Sequence, residues 1–89
     1  MRLNLRLSPS LQQKLKGKLE TELAGKTIYA CLEEGKSIYP ELNKILYKQQ
    51  ALNPQILLFH NNTLIKEKDF SIAVNDGDVL DIIPAIEAG

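Results

Sequence analysis

Few side chains in this sequence are of a type that does chemistry unaided. There is one cysteine, Cys31, one histidine, His60, and a group of three acids at Asp76, Asp78 and Asp81. A nucleophilic thiolate needs a neighbouring cation or base, and none is patterned around Cys31, which falls between Ile28 and Leu32 on an apolar helical stripe. It reads as a buried structural thiol. His60 would need an orienting partner to act as a base, and at a strand end before a turn it reads as a polar cap. The three acids lack the spacing of a calcium loop, and no metal site is expected. There are no Walker glycines and no Cys-x-x-Cys pair. No autonomous active site emerges, and the chain runs out through Pro84-Ala85-Ile86-Glu87-Ala88-Gly89, a tail that the residues alone leave open as a working part. A carboxylate is a poor electrophile because oxide is a bad leaving group, so it reacts only after activation by something else. The alternative is an ordinary frayed end.

The elements that would hold this tail are legible from periodicity. Leu3, Leu5 and Leu7 alternate with Asn4 and Arg6, a strand with one buried face. Ser8-Pro9-Ser10 breaks it, Leu11 and Leu15 suit a short helical turn or a packed loop, and residues 18–23 alternate again as a second, antiparallel strand. Ala24-Gly25-Lys26 is a turn, and Thr27 stands where a helix N-cap belongs. Ile28, Cys31, Leu32, Gly35, Ile38, Leu42 and Ile45 then recur at helical spacing. Pro40 must break that periodicity, so the spacing predicts one helix to about Ser37 and a second over 40–48.

After Asn53-Pro54, residues 55–60 form a dense apolar strand that barely alternates and is expected to be central or covered on both faces. Asn61-Asn62 suits a two-residue hairpin turn, and Thr63 to Ile65 returns. A polar stretch follows, pinned by Phe70, Ile72 and Val74, and Asp76-Gly77-Asp78 turns the chain into a last strand over 79–83 that Pro84 ends. Two hairpins bracketing a helix give an α+β chain, with a mixed sheet covered on one face. The right-handed crossover puts the last strand parallel to the first at the sheet centre. This is a β-grasp arrangement: a domain over 1–84 and a flexible tail over 85–89.

Charge and composition narrow the partners. Eleven basic and eleven acidic residues cancel among the 89, which argues against the concentrated positive face that nucleic acid or an anionic membrane would need. The apolar run Ile56 to Phe59 is far short of the ~18 residues of a membrane span. The alternating N-terminus is no secretory signal, and a lone cysteine forms no internal disulfide. A cytoplasmic protein is expected.

The ending Asp76-Gly77-Asp78, Val79-Leu80-Asp81-Ile82-Ile83, Pro84-Ala85-Ile86 resembles the MoaD/ThiS family of ubiquitin-like sulfur carriers. The likeness runs on through the KLETELAGKTI entry to the helix, the YPEL segment after it and the ILLFHNNTLI hairpin. Pro84 and the chain length lean toward MoaD, the small subunit of molybdopterin synthase. The resemblance implies that a MoeB/ThiF-type adenylyltransferase uses ATP to activate Gly89, that sulfur then forms a thiocarboxylate, and that the carrier binds no cofactor itself. A catalytic acceptor subunit, the molybdopterin synthase large subunit or an analogue, would take the sulfur.

The same resemblance implies that the tail, Pro84 to Ala88, threads a partner channel. The uncovered sheet face, with Leu5, Leu7, Phe59 and Ile83 as candidate contacts, would dock the partners. Extended, residues 85–89 would reach roughly 17 Å at ~3.4 Å per residue. The family ends in Gly-Gly whereas this chain ends in Ala88-Gly89, one methyl more, which a channel shaped for Gly-Gly either rejects by steric overlap or, if wider there, tolerates. Carriers for thiamine, tRNA thiolation or a cysteine-type metabolite, protein conjugation, and a β-grasp module that is never activated all stay open.

Overall fold

Alternation at the N-terminus produces a strand with one dry face. β1 (Arg2–Leu7) buries Leu3, Leu5 and Leu7 and turns Arg2, Asn4 and Arg6 the other way. The computed structural model describes residues 1–13 and 20–88. α1 (Pro9–Gln12) is a single turn with Leu11 buried. β2 (Glu20–Ala24) runs back antiparallel, pairing Leu3 with Leu23 and Arg6 with Glu20. The expected contributions of Leu15 and residues 18–19 lie outside the described residues.

At Gly25 the chain crosses close over the start of the next helix. A Cβ there would stand 2.7 Å from the Cys31 amide nitrogen and 2.9 Å from the Ala30 carbonyl carbon. α2 (Ile28–Ile38) begins as expected at Thr27, whose hydroxyl accepts the Ala30 amide at 3.1 Å. Its buried stripe is Ile28, Cys31, Leu32 and Gly35. Pro40 breaks the periodicity and caps α3 (Glu41–Leu46), which buries Leu42, Ile45 and Leu46.

Here the structure departs from the spacing. The second helix stops at Leu46, and β3 (Tyr47–Lys48) pairs with β4 (Ala51–Leu52) in a small separate hairpin. Its turn places Gln49 and Gln50 at φ 54° and 68°, the left-handed region. Neither Gly nor Asn stands there to announce such a turn, and two-residue strands have no readable period.

β5 (Ile56–His60) and β6 (Thr63–Ile65) form the expected hairpin, with Asn61 and Asn62 at φ 49° and 70°. In the following stretch Phe70 and Val74 are buried, but the Ile72 side chain is not a pin. It is 37% exposed, and the segment is held instead by its backbone, whose Ile72 carbonyl accepts the Ile28 amide. Gly77, at φ 90°, makes the turn into β7 (Asp78–Pro84).

β7 is the central strand of the order β2-β1-β7-β5-β6. It lies parallel to β1, with Leu80 opposite Leu5, and antiparallel to β5, with Ile82 opposite Leu58. One sheet face packs under the helices in a single core. Burying its eleven fully covered side chains, at about 1.5–3 kcal/mol each before entropy is subtracted, is the main favourable term.

The start of β7 is fixed to the β5–β6 hairpin by a polar cluster. The Asp78 carboxylate accepts the Asn75 amide at 3.0 Å, His60 Nε2 at 2.9 Å and Asn61 Nδ2 at 3.1 Å. Asn61 Oδ1 in turn accepts the Val79 amide at 2.9 Å. The backbone bond from Asn75, and then those from His60 and Asn61, hold the Asp78 carboxyl at about 2, well under its usual value. His60, read as a surface cap, is thus a part-buried clamp, and Asp78, read as a turn residue, is its buried anchor.

A depressed carboxyl stabilises the fold above its unfolded pKa and loses that contribution as pH falls from about 4 toward 2. Asp78→Asn should therefore cost about 2 kcal/mol in urea unfolding at neutral pH and flatten the stability profile across that acid window. Gly25→Ala should cost about 1–3 kcal/mol, since the obstructing atoms are backbone and cannot give way.

Candidate functional site

Each central strand has one buried and one open side, and the register decides which residues share the open face. On β7 these are Val79, Asp81 and Ile83, and on β1 they are Asn4 and Arg6. β5 adds Leu57 and Phe59, and β6 adds Leu64, which is 47% exposed. Pairing puts Ile83 beside Leu57, and Asp81 beside Phe59, which itself neighbours Leu64. The face is divided. Its β5–β6 side is apolar, while toward β1 and β2 it is charged.

The boundary between the halves is an ion pair. Arg6 Nε and Nη2 donate to the two Asp81 carboxylate oxygens at 2.7 and 3.0 Å, a bidentate fork. The Asp81 carboxylate raises the Arg6 pKa further, so the guanidinium is charged throughout. Such a pair on an open face adds little stability. What it does is satisfy the only carboxylate of β7's open side, so that a partner laid on Val79 and Ile83 meets no bare charge there.

Strand β7 delivers the tail at the edge of this face. Pro84 lies opposite Ile56, and the Ala85 amide donates to the Gln55 carbonyl at 2.8 Å. Residues 85–88 then form α4 (Ala85–Ala88), one helical turn rather than the extended arm expected from the sequence. Ile86 on that turn is 92% exposed. It stands by a hollow of about 430 Å³ shared with Pro54, Gln55, Pro84 and Ala85. Gly89 and the Ala88 side chain lie outside the described residues.

Two of the four candidate contacts are corrected by the structure. Leu5 and Leu7 are 0% and 4% exposed in the core beneath the helices, because the alternation of β1 turns its leucines inward and its arginines out. Phe59 and Ile83 are on the open face, half-buried. Of the two expectations for β5, central or covered on both faces, the first holds: β5 lies inside the sheet between β7 and β6, while Leu57 and Phe59 turn to the open face, half-buried. Val79, Leu57 and Leu64 were missed. The available signal was parity: once Leu3, Leu5 and Leu7 are assigned inward, the odd residues of β7 must face out.

Cys31 is fully buried, with Sγ 3.8 Å from the Leu23 carbonyl oxygen, and burial pushes its thiol pKa up, away from nucleophilic use. Among the described residues no group of acids, histidines and cysteine could hold a metal ion, and no helix is long and apolar enough to cross a membrane.

With this geometry in view, the comparisons are specific. The sequence matches the model of the ThiS family over residues 8–89, nearly its whole length and including the tail. The chain belongs to the ThiS family. No curated protein sequence matches it significantly. Its fold is shared with CysO from Mycobacterium tuberculosis, at a TM-score of 0.80 and 18% identity, covering 93% of this chain and 98% of that one. Small archaeal modifier protein 1 from Methanosarcina acetivorans superposes equally well, at 0.80 and 20% identity, covering 99% and 96%. CysO in the Amycolatopsis orientalis BexX/CysO complex gives 0.79 at 23% identity, covering 93% and 94%. At these identities the likeness establishes the ubiquitin-like β-grasp fold, while the ThiS family match makes the chain a member of a sulfur-carrier family.

The division of the sheet into two faces has a measurable consequence. Leu5→Ala and Leu7→Ala should each cost about 2–5 kcal/mol, as cavity-forming core truncations do. Ile83→Ser and Phe59→Ser should cost less than about half as much, being half-exposed. Urea midpoints at constant slope would check this ordering.

Proposed function

We propose that this chain is a sulfur carrier whose Gly89 carboxylate is adenylated by a MoeB/ThiF-type partner and converted to a thiocarboxylate. The observation that supports this most is the junction of two features in one strand. β7 presents Val79 and Ile83 on the open apolar face and runs directly into the tail that ends at Gly89. A partner held on that face receives the tail at a fixed exit point, which is how a carrier without acid, base or metal contributes to a reaction.

The chemistry is carboxylate activation. Gly89 carboxylate attacks the α-phosphorus of ATP and pyrophosphate leaves, giving an acyl adenylate. A persulfide sulfur on the activating system displaces AMP, forming an acyl disulfide. A thiol then cleaves the sulfur–sulfur bond, leaving the thiocarboxylate on Gly89 and a disulfide on the sulfur donor. ATP is the partner's substrate, and the carrier holds none of these groups. Glycine at the reacting position leaves the carbon open on both faces. The methyl of Ala88 adds bulk next to it, so the matching channel must be wider there than one shaped for Gly-Gly.

For the acceptor, the MoaD-like features of Pro84 and chain length favour the large subunit of molybdopterin synthase, in molybdenum cofactor assembly. The fold shared with CysO, crystallised in complex with BexX, supports a second reading in which the sulfur passes to a different acceptor enzyme.

The test is ATP–pyrophosphate exchange with the cognate adenylyltransferase. The full chain should support exchange, and deletion of Gly89 should abolish it. Ile83→Asp and Phe59→Asp should raise KM about 10-fold or more with the fold intact by circular dichroism, since each desolvates a charge in an apolar contact. Exchange that is absent with the intact chain, or undiminished without Gly89, would contradict the proposal.

A further inference from the structure

The tail is folded in the free protein, and the chain explains why. A four-residue turn of Ala85-Ile86-Glu87-Ala88 cannot hold itself, because nucleating one helical turn fixes several dihedrals for a single hydrogen bond. Two tethers from outside the turn hold it. The first is the backbone bond from the Ala85 amide to Gln55. The second is a side-chain contact across 77 residues of sequence: Ser10 Oγ donates to Glu87 Oε2 at 2.6 Å. The Ser8 hydroxyl, 3.2 Å from Ser10 Oγ, can donate to it in turn once Ser10 commits its proton to Glu87.

Ser10 is itself well placed for this. It lies in the first turn of α1, which is fastened to β7 through the Ser8 amide and the Ile82 carbonyl at 3.2 Å and seated by buried Leu11. Glu87, Ser8, Arg6 and Ile83 line one groove of about 380 Å³ beside the tail root. The folded turn therefore closes back over the end of the sheet instead of projecting from it.

That geometry conflicts with delivery. Four helical residues advance about 6 Å, against roughly 13 Å when extended, and a helix with side chains is about 10–12 Å across. A channel that admits a single extended chain cannot admit this turn. We infer that the Ser10–Glu87 contact is a latch that stows the tail in a non-reactive, folded state and must open before Gly89 can be activated. This rests on the carrier reading of Gly89 given above. A partner that binds only the open tail would then meet an affinity reduced by the open fraction, and any change that opens the latch would speed activation.

Three substitutions at Ser10 separate the latch from general packing. Ser10→Ala removes the donor, Ser10→Asp sets a carboxylate against Glu87, and Ser10→Lys replaces the hydrogen bond with an opposite charge. Backbone 15N heteronuclear NOEs and 13Cα shifts at Ile86 and Glu87 report the turn directly. Ser10→Ala and Ser10→Asp should shift the folded-to-open ratio about 3- to 10-fold toward open, and Ser10→Lys should keep the wild-type values.

ATP–pyrophosphate exchange at sub-saturating carrier should rise by a similar factor for Ala and Asp and stay unchanged for Lys. NOEs that are the same in all four proteins, or equally lowered in all three variants, would overturn the latch. Exchange absent from every protein, wild type included, would instead refute the activation reading, and the NMR data would still decide the latch.

Discussion

The pairing of β7 between β1 and β5 is the constraint from which the rest of the structure follows. Leu80 and Ile82 are locked by backbone bonds on both sides and by the core below, so their positions are set. Because side chains alternate along a strand, fixing those two residues inward forces Val79, Asp81 and Ile83 outward. The same strand then ends at Pro84, paired opposite Ile56, with the Ala85 amide still bonded to the Gln55 carbonyl, so the pairing with β5 sets where the tail leaves the sheet. A slip of one residue in this register would bury the charged side of β7 and expose its core. The polar cluster at Asp78 opposes such a slip: its carboxylate can reach Asn75, His60 and Asn61 together only in the observed register.

Two regions of opposite character therefore meet at the C-terminus. Upstream, the sheet is buried, paired and rigid. Downstream, a single helical turn is held by one backbone bond and one exposed side-chain bond. A rigid platform lowers the cost of presenting a reactive end, because the partner need order only the last few residues. Weak tethers on those residues are consistent with an arm that has to change shape in use. Under the carrier proposal the division of the open face would add selectivity, since a complementary partner must be apolar over β5 and β6 and tolerate the Arg6–Asp81 fork beside them.

Much of this was legible in the residues. The leucine alternation of β1, the cap at Thr27, the break at Pro40, the Asn61-Asn62 turn and Gly77 each have a local chemical cause, and each was read in place. What could not be read depends on contacts between distant segments. The apolar density of β5 has the same appearance whether it is covered on both faces or bears an open apolar patch, and only the placement of the helices distinguishes these. The hairpin at Gln49-Gln50 uses residues with no preference for its backbone shape. Period alone does not say which face of β1 is dry, so it does not place Leu5 and Leu7 in the core. The folded tail was invisible because its tether, Ser10, is 77 residues away from Glu87.

A sulfur carrier requires Gly89 to be its reactive end, and the mass of the chain tests that most directly. Intact-mass spectrometry of the protein isolated from its native cell, with fragmentation to locate any change, should find a population heavier by about 16 Da, oxygen replaced by sulfur, confined to the C-terminal residue. That population should return to the unmodified mass on mild hydrolysis. A chain found only at its unmodified mass in cells actively using its cognate partner, or carrying its modification anywhere but Gly89, would contradict the account.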